Sequence, residues 1–403
     1  MRVAVILLRW VMNFIYFFLK FFPTDKNKVL FLSRQSNTVT EDIEFLSSRL
    51  KELKPEAEII IITKRADKGF KNMLDYAVVT LKSMYHLATA RVCVLDSYWP
   101  AVSVLHHKKQ LAVIQMWHAM GKIKKSGYQS LGKKFGRSDM IAREMRMHRN
   151  YDVVIAGGRA FNPFYCASFG VKSDILYNVG LPRMDSLREG QEEARRQFFE
   201  AYPKLKGKKI ILYAPTFRKG HVLDPEALVE AFNFDGSQVL VVKRHPNQLL
   251  NYETLSPAIT CYKVPTSTVL SVCDCVITDY SAITIEAALL GKPVYFYLFD
   301  YDDYLEHNGL NVKLFEEFPD CIFRNPEELV AAIECGRYDK ENYARFCRKY
   351  LPDLSGRATD KIAGLIIDCM EKDKHDAISQ SIARQNKIDG AVDNEDTVCT
   401  KSL

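Results

Sequence analysis

The chain has no CxxC pair, and none of its ten cysteines has partner histidines at zinc spacing. Neither a zinc framework nor a disulfide scaffold is therefore expected. Cys273 and Cys275 flank Asp274 and would share one face of a strand, where a thiol acts as a small apolar side chain. Free thiols in a reducing compartment follow. There is no internal repeat, and beyond the first 22 residues no run is long and apolar enough to span a bilayer. That first segment lacks a small-residue cleavage site, so a removable signal peptide is a poor fit. Acidic residues are scarce in one stretch. Residues 101–150 carry eleven Lys and Arg against only Asp139 and Glu144, a larger excess than the +7 of the whole chain. Such a local field attracts phosphates, nucleic acid or an anionic membrane.

With 403 residues, 47% of them hydrophobic and 26% charged, the chain has room for two folded domains. Residues 1–22 stand apart. "VAVILLRWVMNFIYFFLKFF" is apolar and aromatic, interrupted by Arg9, Asn13 and Lys20 and ended by Pro23. Its aromatic content and flanking basic residues suit a helix lying in a membrane interface or a short anchor. The alternative is a helix packed on the protein's own core.

Short β-branched runs then alternate with helical patterns, the form of parallel α/β layers. One series runs through "VLFLS", "IIIIT", "VCVLD", "AVIQMW", "VVIAG" and "ILYNVG"; a second starts with "IILYAP" and continues through "VLVVKRH", "CVITD" and "VYFYLF". The expected architecture is two Rossmann-like, doubly wound α/β domains, residues 23–200 and 201–372, facing across a cleft. Ligands of such sheets sit outside the carboxyl ends of the strands. Residues 373–403 turn polar and read as a disordered tail.

Chemistry-bearing residues gather at those strand ends. "MWHAMGKIKKSGY" sets His118 before Lys122, Lys124 and Lys125, inside the basic stretch. "YAPTFRKG" supplies Thr216 and Arg218, the latter suited to bidentate phosphate contacts. "VVKRHPNQ" ends a strand with Lys243, Arg244 and His245, and Pro246 holds His245 extended. In "VITDYSAITIEAALLGKPVYFY" the strand ends at Thr278 and Asp279, and Ser281 falls where a helix begins. A helix N-terminus offers unpaired N–H groups to a phosphate. Ser281 can cap that helix or add a hydroxyl to the phosphate. Glu286, five residues on, could reach ribose hydroxyls. Each feature alone also has an ordinary structural explanation.

Their order is more specific. WH…KK.G, GLPRMD (residues 180–185), YAPTFR, KRHP, ITDYS and FDYDDY (residues 299–304) resemble the CDP-glycerol glycerophosphotransferases over about residues 29–351. Enzymes of that family build teichoic acids and related polymers at the inner face of bacterial membranes. The resemblance implies a GT-B architecture, with CDP-glycerol held mainly by the second domain. It also implies a peripheral protein at the cytoplasmic face of the membrane and a lipid-linked or glycolipid acceptor. It carries the family's two histidines onto His118 and His245, and its TDYSS onto Thr278–Ala282, where the second serine is missing. After Tyr304 the chain reads "EHNGLNVKLF" in place of the family's common RGFYF stretch.

The reaction so implied is attack of an acceptor hydroxyl on the β-phosphorus of CDP-glycerol, releasing CMP. His118 would be the general base, with an imidazole near its ordinary pKa. His245, Arg218 and the Ser281 helix end would grip the diphosphate. Lys122, Lys124 and Lys125 would hold an anionic acceptor. No cofactor is implied beyond the donor, no metal is required, and Mg2+ is compatible with the reading. Three alternatives stay open: the same chemistry on CDP-ribitol, a GT-B glycosyltransferase using a nucleotide sugar, and a protein that binds nucleic acid or anionic lipid through the basic stretch. The last has no use for KRHP and ITDYS, so no nucleic-acid partner is expected.

Overall fold

The computed structural model describes residues 2–65, 70–134, 136–216, 226–232, 234–243, 259–260 and 263–399. Its first sheet comprises β1 (Asp25–Ser33), β2 (Glu58–Thr63), β3 (Ala90–Leu95), β4 (Ala112–Gln115), β5 (Val153–Ile155) and β6 (Leu176–Tyr177). The second comprises β7 (Lys209–Tyr213), β8 (Gln238–Val242), β9 (Ile259–Thr260), β10 (Cys275–Thr278), β11 (Val294–Tyr297) and β12 (Ile322–Phe323). The strand orders are β2-β1-β3-β4-β5-β6 and β12-β11-β10-β7-β8-β9, and every pairing is parallel. The central strands are covered on both faces, which is why they read as unbroken apolar runs. Each sheet reverses its winding once, beside β1 and β3 in the first and beside β7 and β10 in the second. Strand ends splay apart at such points and leave a crevice.

The C-terminal helices return to the first sheet. The helix Ala358–Glu371 lies in the stretch expected with the second domain, yet it packs on the helix Glu41–Leu53 and against β1 and β3. Arg49 Nε meets Asp360 Oδ1 at 2.6 Å across that contact. The helix has no cap of its own. Asp185, from the 180–185 segment, supplies one, accepting from the N–H groups of Ala358 (3.0 Å) and Thr359 (2.8 Å). A carboxylate at a helix N-terminus satisfies orphan donors and complements the dipole.

The expectation of a disordered tail is corrected here, because Lys374–Cys399 is helical. Ala377, Ile378, Ser381 and Gln385 are buried, with Ile382 packed against the core beside them. The spacing is that of one helical face, hidden in the sequence by the polar residues around so few apolar ones. Lys374 pins the start of the helix through an ion pair with Asp152 at 2.8 Å.

The N-terminal helix, Arg2–Leu19, is long and apolar enough to cross a bilayer by length and composition. It nevertheless docks on the first sheet's helices by its polar side. Arg9 donates to Glu144 O (2.7 Å), Asn13 exchanges hydrogen bonds with Val104 O and His106 N, and Tyr16 OH meets His107 Nδ1 at 3.0 Å. The apolar side faces outward, exposing Leu7, Trp10, Phe14, Phe17 and Phe18. The neighbouring helix Phe70–Thr89 exposes Met73, Leu74 and Val78 as well, and its Tyr85 touches Phe22 edge-on at 5.5 Å.

Candidate active site

β4 ends at Gln115, and the chain then turns sharply through Trp117. Trp117 has φ of 63°, a left-handed conformation that a bulky residue adopts only when its surroundings force it. Here its N–H donates to Gln115 Oε1 at 2.9 Å, and its ring packs on Phe169. The turn folds His118 back over the end of β3, with the two rings 4.2 Å apart. His118 Nδ1 lies 3.0 Å from Asp96 O and 2.9 Å from the Gln35 side-chain amide. Gln35 presents its Nε2 to that atom, but a carbonyl oxygen can only accept. The Asp96 contact therefore assigns the proton to Nδ1 and requires the Gln35 amide nitrogen and oxygen to exchange places. Nε2 is left with a lone pair. Burial pushes the His118 pKa down to about 4, assisted by Lys122, Arg183 and Lys124 and opposed by the bond to Asp96. This departs from the ordinary value expected from sequence: the imidazole is neutral throughout the range in which an unperturbed histidine titrates.

Arg183, from the 180–185 segment, holds this turn in place. Its Nη2 donates to His118 O at 2.6 Å, and its backbone N–H donates to Asp42 Oδ1 at 2.9 Å. The guanidinium also lies 3.4 Å from Asp42 Oδ2 and 3.3 Å from Glu286 Oε1. Burial works against its charge, but Asp42, Glu286, Glu41 and Asp96 outweigh that and hold its pKa above the ordinary value. Burial raises the Glu286 pKa, with Arg183 opposing. Glu286 thus faces the first half of the molecule through an ion pair.

The lysines behave individually. Lys122, expected to grip an anionic acceptor, is buried, and that role is corrected. Its Nζ sits 4.0 Å from the ring centre of Phe169, 4.2 Å from Trp117 and 5.2 Å from Tyr165, and it donates to Ser126 Oγ at 3.1 Å. Burial holds its amine well below its ordinary pKa. Lys124 instead reaches Thr216 Oγ1 in the second half, at 3.5 Å. Lys125 lines a cavity of about 420 Å³ that also contains His118, Gln35, Arg34 and Arg137. Gly127 closes this loop with φ of 57°, and a Cβ there would stand 2.1 Å from Ser168 O, so only glycine fits.

The segment that departs from the family pattern after Tyr304 clasps this loop. Leu310 pairs with Lys124 in an antiparallel bridge, and Lys125 N–H donates to Gly309 O at 3.1 Å. Asn311 Nδ2 donates to Lys122 O (2.9 Å) and Lys124 O (3.1 Å).

On the second sheet, Thr216 N–H donates to both Asp279 oxygens, at 2.9 and 2.8 Å, and Thr278 Oγ1 donates to Ala214 O at 2.7 Å. Thr278 and Asp279 thereby tie the ends of β7 and β10 together at the reversal of winding. Ser281 Oγ accepts from Ile283 N–H at 3.4 Å, at the start of the helix Ile283–Leu289 that carries Glu286. Lys243 Nζ donates to Val264 O at 2.8 Å. FDYDDY is a helix start: Asp300 accepts from Tyr280 OH at 3.1 Å, and Tyr304 stacks on Tyr280 at 3.9 Å. Arg218, Arg244 and His245 lie outside the described residues. Arg183, Asp96, Gln35 and Asn311 had no expected role. Arg183 carried a signal in its place within GLPRMD, and Asn311 in the divergent stretch EHNGLNVKLF.

A sequence model of the family described as CDP-Glycerol:Poly(glycerophosphate) glycerophosphotransferase matches residues 14–368. The teichoic acid ribitol-phosphate primase of Bacillus spizizenii is 30% identical over 363 residues, 85% of this chain and 92% of that protein. The poly(ribitol-phosphate) polymerase of the same organism is 27% identical over 90% of this chain, which spans 60% of it. The teichoic acid glycerol-phosphate primase of Bacillus subtilis is 28% identical over 63% of this chain and 68% of that protein. Among solved structures, the wall teichoic acid polymerase TagF superposes with a TM-score of 0.72 at 18% identity, covering 92% of this chain and 97% of that one. A UDP-N-acetylglucosamine 2-epimerase reaches 0.53 at 13% identity, over 85% and 96%. These likenesses establish the two-sheet fold. The chain belongs to the CDP-glycerol:poly(glycerophosphate) glycerophosphotransferase family.

The Lys122 cage gives a prediction about stability. An ammonium that burial holds below its ordinary pKa costs the folded state free energy at neutral pH. Lys122→Met is therefore expected to leave the unfolding free energy at pH 7 unchanged or up to about 2 kcal/mol higher. Chemical denaturation measures this, and a loss above about 3 kcal/mol would show that the cage depends on a charged ammonium.

Proposed function

We propose that this family member transfers a polyol phosphate from a CDP-linked donor to a hydroxyl of a membrane-held acceptor, with His118 as the general base. The observation that carries the proposal is the contact of His118 Nδ1 with Asp96 O at 3.0 Å. Asp96 O accepts from Nδ1–H, which leaves a lone pair on Nε2, and His118 lines a cavity shared with Arg34, Lys125 and Arg137. In the reaction, the acceptor oxygen bonds to the β-phosphorus of the donor and its proton passes to Nε2. The bond between that phosphorus and the bridging oxygen breaks, and the electron pair leaves with CMP. Phosphoryl transfer needs mainly positioning and positive charge. Lys124 and the strand ends bearing Thr216, Asp279 and Ser281 lie on the donor side of the cleft. Glu286, paired with Arg183 through Oε1, is the acidic group nearest to the role of receiving a ribose hydroxyl that the helix position suggests. His245, Arg218 and Arg244 retain the donor-gripping roles that the family resemblance implies. The acceptor side comprises His118 and Lys125.

One observation bears on the polyol. Relatives named for ribitol phosphate align over 85% and 90% of the chain, and a glycerol-phosphate primase of Staphylococcus aureus aligns over 77%. Both CDP-ribitol and CDP-glycerol are therefore the donors to test. CMP release should appear with CDP-ribitol or CDP-glycerol and a lipid-linked acceptor, and His118→Ala should reduce it at least about a hundredfold without unfolding the protein. Release from UDP-sugars alone, or full turnover by the variant, would refute the reading.

The N-terminal helix supports action at a membrane surface. Crossing a bilayer would break the contacts of Arg9, Asn13 and Tyr16 with the body of the protein, whereas lying in the interface keeps them and buries Leu7, Trp10 and Phe14 in lipid. The wild type should cosediment with anionic vesicles and a Trp10→Asp, Phe14→Asp variant should stay in the supernatant. Equal sedimentation of both would contradict the interfacial placement.

A further inference from the structure

Residues 121–130 form much of one wall of the cavity beside His118, which Lys125, Ser126, Gly127 and Ser130 line. Apart from the turn Gly127–Ser130 this loop has no helix or strand of its own. Its backbone carbonyls must therefore find partners elsewhere. Three consecutive ones, at positions 122, 123 and 124, go to a single residue. Asn311 donates its backbone N–H to Ile123 O at 2.8 Å and its side-chain Nδ2 to Lys122 O (2.9 Å) and Lys124 O (3.1 Å). Its Oδ1 accepts from Gln129 Nε2 at 2.7 Å. Asparagine suits this place because one amide offers two donors and an acceptor.

Asn311 comes from the second half of the molecule. It follows the helix Tyr301–His307, within the stretch that departs from the family pattern. The approach of the two segments is close. Leu310 pairs with Lys124, and Lys125 N–H donates to Gly309 O at 3.1 Å. Gly309 has φ of 84°, and a Cβ there would stand 2.9 Å from Lys125 Cδ and from Lys133 Nζ, so glycine is needed for the contact. One residue earlier, Asn308 itself lines the cavity, whose other lining residues belong to the first half. The second half thus shapes the wall while the first supplies His118 and the lysines.

We infer that Asn311 is a positioning residue for the acceptor. By holding the carbonyls of residues 122–124 it sets where Lys124 and Lys125 stand, and so the shape of the cavity from which the acceptor hydroxyl reaches His118. The inference rests on the proposed transfer reaction. It adds that the acceptor site is completed by the half assigned to the donor, through a segment in which this chain differs from its family. The effect of Asn311 passes through the main chain of the loop and needs no contact with the reacting atoms. An isosteric change isolates it. Asn311→Asp keeps the shape but turns a carboxylate oxygen, with no proton to offer, toward the carbonyls of Lys122 and Lys124.

The test uses the full chain with Asn311→Asp, with Asn311→Gln as an amide-retaining control, and with Gly309→Ala, which disturbs the same contact while leaving Asn311 in place. Each is checked by thermal unfolding. Then kcat and both KM values are measured with a lipid-linked acceptor and whichever of CDP-ribitol and CDP-glycerol the wild type turns over. Asn311→Asp should raise the acceptor KM at least about tenfold, as expected for two lost hydrogen bonds. The donor KM should stay within about twofold of the wild type. Asn311→Gln should recover part of the loss. Gly309→Ala should move the acceptor KM in the same direction, and it decides the outcome if Asn311→Asp does not fold. A merely structural role would lower the folded fraction, and with it the apparent kcat, at unchanged KM values. That result overturns the inference, as does an equal rise in both KM values. Should the wild type turn over neither donor, the transfer reading fails separately. Hydrogen exchange of the Lys125 amide then decides the positioning: it should quicken at least about tenfold in Asn311→Asp, and an unchanged rate overturns it.

Discussion

One buried guanidinium holds the two halves of this molecule in working relation. Arg183 reaches the backbone of His118, the carboxylate of Asp42 on the first half and Glu286 on the second. A charge removed from water costs several kcal/mol unless its partners are well placed. With this one ion, closure of the cleft and placement of the histidine are satisfied by the same contacts. Asn311 acts beside it with neutral groups, donating to the carbonyls of Lys122 and Lys124. The turn that carries His118 is thus held by its main chain from both sides, which leaves the imidazole edge available for the proposed role as base.

The charges around that edge explain an otherwise puzzling histidine. An imidazole with a pKa near 4 is weak in the role of base proposed for it, and burial with the nearby cations makes it so. Those same cations are what an anionic donor and acceptor would neutralise. As negative charge enters the cleft, the penalty on the imidazolium falls and the basicity of Nε2 rises. On the proposed mechanism the free protein keeps the residue unprotonated, and bound anions would strengthen it.

Much of the fold was legible because parallel strands covered on both faces must be apolar throughout. Val29–Leu32 and Val92–Leu95 announce themselves in that way, and WH and ITDYS fall at the strand ends. Other features depend on contacts distant in sequence. Arg183 meets partners in three separate segments, and nothing local in "GLPRMDS" indicates which. Lys122 reads like its neighbours Lys124 and Lys125, and only the rings of Trp117, Tyr165 and Phe169, brought together by the fold, make it a core residue. The C-terminal helix was missed for a related reason. Its buried face is short, and what orders it is the Ala358–Glu371 helix beneath it.

The central claim is that His118 presents a neutral Nε2 because Asp96 O holds the proton on Nδ1. Its most direct test is nitrogen NMR of protein labelled at histidine, with the His118 signals assigned by their loss in His118→Gln. The account predicts the Nδ1–H tautomer at pH 7 and a titration near pH 4. An Nε2–H tautomer, or a titration at the ordinary value of 6.5, would contradict it.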